Sequence, residues 1–320
     1  MMSFTSHQDP ATNQPTDPAE ILREIAAGQV EPGRLAELSD LTRSQVSVFA
    51  QHWQTLPDEL KRDTVLILVE MANENVALDF SRLFRLMMKE EDETVRARAI
   101  QGLWEDDSTA FLADLVELAH NDQSAAVQQA VAERLGRYSF DAETEALDSE
   151  SASLTRNALF HLMDHGANWM VRRRALESAS FLTGEPRVRQ AILDAYESDF
   201  ELEQAGAIVA MGHQLSPEWL PIVLRELENE DPDIRCEAAR AAGEFEDPSA
   251  IDQLSAMIED EDDEVRSVAI LSIGRIGGKA AIDTLVYLET QVSDEHRKEL
   301  IKEAIEEATF LREPTGLEDQ

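Results

Sequence analysis

The stretch from Glu230 to Tyr287 contains one unit written twice. DPDIRCEAARAAGEFEDPSAIDQLSAMI, from Asp231, overlays DDEVRSVAILSIGRIGGKAAIDTLVYL, from Asp262, without a gap. Ile234 meets Val265, Arg235 meets Arg266, Gly243 meets Gly274, Ile251 meets Ile282 and Leu254 meets Leu285, each pair 31 residues apart. A period in this range belongs to stacked structural units, none of which can bury its apolar side alone. Such arrays display surfaces for binding far more often than they build catalytic pockets.

The same template extends upstream when the Ile234 or Val265 position is taken as the start of the second helix of a hairpin. The matching starts are Val95, Val127, Val171 and Glu203, spaced by 31 or 32 residues except for 44 between Val127 and Val171. Three residues before five of the six starts stand Asp92, Ser124, Asn168, Asp231 and Asp262. All are N-cap residues, whose short side chains accept from the orphan N–H groups of a first helical turn. Ala99 and Ile100, Val131 and Ala132, Ala175 and Leu176, Ala207 and Ile208, with their counterparts downstream, recur at helical spacing and predict the core face. Gly136, Gly212, Gly243 and Gly274 are predicted to end their helices, with Trp104 and Ser180 replacing glycine in two units. The long spacing localises an insertion to SFDAETEALDSESAS, residues 139–153, which reads as an acidic, Ser-rich, exposed loop on one rim.

Around this array the chain divides into a disordered leader (1–17), N-terminal helices (18–56), the repeat array (57–290), a charged C-terminal capping helix (291–313) and a frayed tail (314–320). Aromatics are only 6% of the chain against 43% hydrophobic residues, a balance suited to closely stacked helices. The 65 acidic and 28 basic residues give a formal net charge of −37. That charge disfavours nucleic acid and anionic membranes and welcomes a basic protein partner. Cys236 is the single cysteine, so no intrachain disulfide or thiolate metal cluster is expected, which fits a reducing, cytoplasmic setting. No apolar run reaches the length of a membrane span.

The repeated pattern is Asp, two residues, Val-Arg, two residues, Ala-Ala or Ala-Ile, two residues, Leu or Ile, Gly, then Ala-Ile-x-x-Leu. It resembles HEAT repeats, and among them the short HEAT-like repeats of phycobilisome (bilin) lyases. The Thr-Pro-Leu-His and Trp-Leu-Gly-Tyr signatures of ankyrin and tetratricopeptide arrays are missing. The resemblance implies an all-α solenoid, a right-handed superhelix of helical hairpins whose second helices line the concave side. It also implies a scaffold or adaptor, or, as the alternative, a bilin-lyase-like protein that binds or attaches a chromophore.

On that geometry Arg98, Gln101, Glu133, Arg174, Glu177, Glu237 and Arg240 face the concave side, and their mixed signs fit a polar protein surface rather than a phosphate groove. Trp169 to Arg174 is the one local concentration of aromatic and basic residues; it reads either as a binding hot spot or as a staple between hairpins. Trp104 stands where other units have glycine, with its ring projecting from a helix end. Trp219 reads as helix-start packing. The candidate contact set is therefore Arg98, Gln101, Trp104, Trp169, Arg173, Arg174, Glu177, Glu237 and Arg240.

Arg96, Arg172, Arg235 and Arg266, with Gln128 and Gln204 in the other two units, read as a structural row bridging to a neighbouring cap Asp and to loop carbonyls. His161 and His165 share one helical face, but Leu162 occupies the place where a zinc hydrolase needs Glu, so no metal is expected. No residue near Cys236 completes a nucleophilic triad, and no glycine-rich phosphate loop occurs. The expectation is a non-enzymatic interaction scaffold without catalytic residues or cofactor.

Overall fold

The computed structural model describes residues 17–29 and 32–310. The expected leader, apart from Asp17, the tail and the last three residues of the capping helix lie outside the described residues. The fold is an all-α solenoid, and no strand occurs among the described residues. Two compact units are formed, one up to Ser108 and one from Thr109.

The first unit holds α1 (Pro18–Ala26), α2 (Pro32–Leu35), α3 (Arg43–Trp53), α4 (Asp58–Glu74), α5 (Ser81–Met87) and α6 (Glu93–Gly102). Asp17 caps α1 with Pro18 at its first position, and Thr42 and Gln45 form a reciprocal capping box on α3. Helix α1 packs on α3, α3 on α5, and both α4 and α5 on α6, so no packing break falls at 56/57, where the sequence divides the N-terminal helices from the array. Phe49 and Trp53 stack at 5.3 Å in the interior, and buried Lys61 is neutralised by Glu90 at 2.7 Å.

The second unit begins with α7 (Thr109–Asn121), α8 (Ala125–Glu143), α9 (Ser149–His165), α10 (Trp169–Ala179), α11 (Pro186–Tyr196) and α12 (Glu201–Gln214). It continues with α13 (Leu220–Glu226), α14 (Pro232–Glu244), α15 (Ile251–Ala256), α16 (Asp263–Ile276), α17 (Gly278–Gln291) and α18 (Glu295–Phe310). Helices α8, α10, α12, α14, α16 and α18 pack side by side in one layer, each backed by the hairpin partner before it. Ser124, Asn168, Asp231 and Asp262 cap their helices through the side chain, as Asp92 does for α6.

The predicted insertion loop is not a loop. Helix α8 runs on through Glu143, and α9 starts at Ser149 under the Asp148 cap, leaving only 144–148 between them. The extra residues lengthen two helices to 19 and 17 residues. Tyr138 and Ser139 are buried, so the α8 core face continues into the segment, while Glu143 at the end of α8, Glu145 and Asp148 in the turn and Glu150 at the start of α9 are exposed.

The repeat glycines do not end helices either. Gly136, Gly212, Gly243 and Gly274 lie within α8, α12, α14 and α16, none with a positive φ. Each lies where the next helix of the layer passes close by. A Cβ on Gly136 would meet Ser178 at 3.0 Å, on Gly212 Ala241 at 3.0 Å, on Gly243 Ser272 at 2.9 Å and on Gly274 Ala304 at 2.9 Å. Small residues on both sides let the layer stack closely. The stop of α16 is instead Gly277, at φ +66.

The Arg and Gln row closes the turns. Arg96, Gln128, Arg172, Gln204, Arg235 and Arg266 each donate to the carbonyl six residues earlier, on Glu90, Asp122, Gly166, Ser198, Asn229 and Asp260. The bond thus lies within each unit's own turn. Arg235 is also held by a carboxylate of the next turn, that of Asp260, two residues before the Asp262 cap.

Candidate binding cleft around Trp169 and Phe200

Helix α12 begins without a side-chain cap, and the residue in its cap position is Phe200. The five other units place Asp, Ser or Asn there, and each makes the capping bond. A phenylalanine forgoes about 1 kcal/mol of capping, and Phe200 recovers nothing by burial, being 70% exposed. Leu202 and half-buried Trp169 line the same hollow as further accessible apolar side chains, and Met170, next to Trp169 in the chain, is exposed.

Two hollows share Trp169 and Arg172. One, of about 600 Å³, is lined by those two and by Asp199, Phe200, Glu201, Leu202 and Glu203. The other, of about 240 Å³, passes Arg173, Leu176 and Asp194 to Gly206. The turn before α12 is fixed by Gln204 donating to the Ser198 carbonyl and by Ser198 Oγ donating to Glu203 at 2.6 Å. Gly206 makes room for the stem of Arg173, whose Cγ a Cβ there would meet at 2.7 Å.

The other expected contact residues have varied surroundings. Glu177 is a correction: at 4% exposure it cannot meet a partner, because Arg173 at 2.6 Å and Arg174 at 3.0 Å enclose its carboxylate. Arg173 is consequently half-buried and committed to that pair, whereas Arg174 is exposed. Arg240 is exposed and bonds half-buried Glu237 at 2.6 Å on α14. Glu133 is exposed on α8. Trp104, Arg98 and Gln101 belong to the first unit, where Trp104 and exposed Val76 line a separate hollow of about 640 Å³. Trp219 is buried and donates from Nε1 to Gln214 at 2.9 Å, as helix-start packing predicts.

Phe200 is the residue that sequence reasoning passed over, although its signal was available three places before Glu203. His120, 41 residues from His161 in the chain, is another: its ring stacks on that of His161 at 4.4 Å, and His161 lies 4.9 Å from His165. Burial and then the two neighbouring imidazoles hold His161 below its ordinary pKa. Among the described residues no group of three or more His, Cys, Asp or Glu is arranged to hold a metal ion. No helix there is long and apolar enough to cross a membrane.

The HEAT-repeat family model matches residues 81–149, 193–266 and 220–306, more than half of the chain. This chain belongs to the HEAT-repeat family. Yeast importin-beta (Kap95p) is similar to it in structure, with a TM-score of 0.54 at 12% identity over 94% of this chain and 47% of that one. This HEAT-repeat chain thus spans about half the length of Kap95p. An engineered protein matches at a TM-score of 0.39 and 15% identity, covering 92% of this chain and 93% of its own. Human deoxyhypusine hydroxylase in complex with glycerol matches at 0.33 and 15% identity, covering 92% and 96%. Identities this low carry the fold alone. No curated protein matches. Against the HEAT-repeat frame the uncapped start of α12 is a local departure, and departures of that kind gather at functional or strained sites.

Proposed function

We propose that this chain is a non-enzymatic protein-interaction scaffold that holds a partner at the Trp169–Phe200 cleft of its second unit. The observation that carries the reading is Phe200, a large exposed apolar residue in a position that the other units use for helix capping. Exposed aromatic side chains beside a hollow are the usual anchors of a protein interface. Arg174, Glu237 and Arg240 extend the contact along the same helical layer, and in the first unit Trp104, with Arg98 and Gln101 on α6, forms a second contact region. The chromophore alternative gains nothing from the cleft, since neither of its hollows is lined by His or Tyr.

Photo-crosslinking tests the reading. A benzophenone amino acid at Met170 of the full chain should give a discrete partner adduct in native lysate, and the same group at exposed Glu150 should not. Equal labelling from both positions, or none from Met170, would count against the cleft.

A further inference from the structure

We infer that the occupant of the cleft is an amphipathic helix of another protein, apolar along one face and bearing Lys or Arg on its flanks. This rests on the scaffold reading above. A helix satisfies its backbone hydrogen bonds internally and is recognised through side chains, as when its apolar face lies in a groove, which suits a cleft built from helices with no strand among the described residues. Trp169, Phe200 and Leu202 line the larger hollow from two neighbouring helix starts and supply apolar contacts, in the manner of pockets that take helical anchors.

The charges set the sign. Asp194, Asp199, Glu201 and Glu203 line the two hollows, and none of the four forms an ion pair among the described residues. Arg173 is neutralised by Glu177, which leaves Arg172, bonded to the Gly166 carbonyl, as the one cation against four carboxylates. A second copy of this chain would press acid against acid, with −37 on each copy.

The test uses the full chain and two labelled synthetic peptides of about 18 residues, long enough to hold a helix. Both carry leucine along one face; one has Lys on its flanks and its twin has Glu. Fluorescence anisotropy should show the Lys peptide binding at least about tenfold more tightly than the twin, and weakening as salt rises from about 50 to about 300 mM. Phe200→Asp restores a cap and adds a further acid. It should raise the melting temperature yet weaken the Lys peptide about tenfold or more, a loss that charge alone would not produce.

Equal binding of the twins overturns the basic helix. Unchanged binding in Phe200→Asp overturns its location. If neither peptide binds while Met170 still crosslinks a partner, the occupant is wrong and the scaffold reading stands; if the crosslink also fails, both fall. A dimer in sedimentation that Phe200→Asp dissolves would assign the cleft to a second copy and likewise overturn the inference.

Discussion

Arg235 and Asp260 form a two-pronged ion pair between successive turns of the array, with Nε and Nη2 each 2.8 Å from a carboxylate oxygen. Both side chains are about nine-tenths buried, and the remaining guanidinium nitrogen binds the carbonyls of Asn229 and Glu230. Planar bidentate geometry is a property of arginine that lysine lacks.

Removing one partner of this pair strands a buried charge. Arg235→Ala should therefore cost about 3 kcal/mol, measured by urea unfolding of the full chain. Arg235→Met with Asp260→Leu should cost less than either single change, because no charge is left unpaired. If the double change costs as much as the two single changes added together, the residues act independently and the pair has been misread.

Two glycine substitutions should have opposite signs. Gly243→Ala sets a Cβ 2.9 Å from Ser272 on the facing helix, and the strain of about 1–3 kcal/mol outweighs the roughly 1 kcal/mol gained in helix propensity. Gly33→Ala in α2 meets nothing within 4 Å and should keep the propensity gain. Thermal melts of the two variants check this, and a stabilised Gly243→Ala would contradict the close-stacking account.

What the sequence reveals and conceals follows from the range of each interaction. The helix starts were legible because capping is decided within three residues, as at Asp92, Asn168 and Asp262. The role of Gly243 was not, since it depends on how near another helix passes. Residues 139–153 were misread because the wet face of a helix and a loop share the same polar composition. Of the cleft, Trp169 was visible as a local cluster, whereas Phe200 could be noticed only as a polar cap that ought to be there and is not. The enclosure of Glu177 by two arginines of its own helix lay within reach of i, i+3 and i, i+4 spacing.

Cys236 should be a poor nucleophile. Burial pushes its thiol up to about 11, and the positive charge of Arg240 opposes that only in part. The thiolate is the reactive form, so Ellman's reagent at pH 8 should label the folded chain slowly and the denatured chain at the rate of a free thiol. Rapid labelling of the folded chain would show the site to be open.

His161 ties stability to pH. His120 on α7 stacks against His161 on α9, with His165 one turn further along. Asp164 favours the charged form of His161, yet it is paired with Arg187, and burial with the two neighbouring imidazoles prevails. The folded pKa of His161 therefore lies below its ordinary 6.5, and the unfolded chain binds the proton more readily. Its contribution is fully present above 6.5 and is lost as the pH falls below that value. The chain should thus unfold at lower urea when taken from about pH 7.5 to about pH 5.5, and His161→Gln should flatten the dependence in that window. The same slope in the variant would trace the loss to other groups.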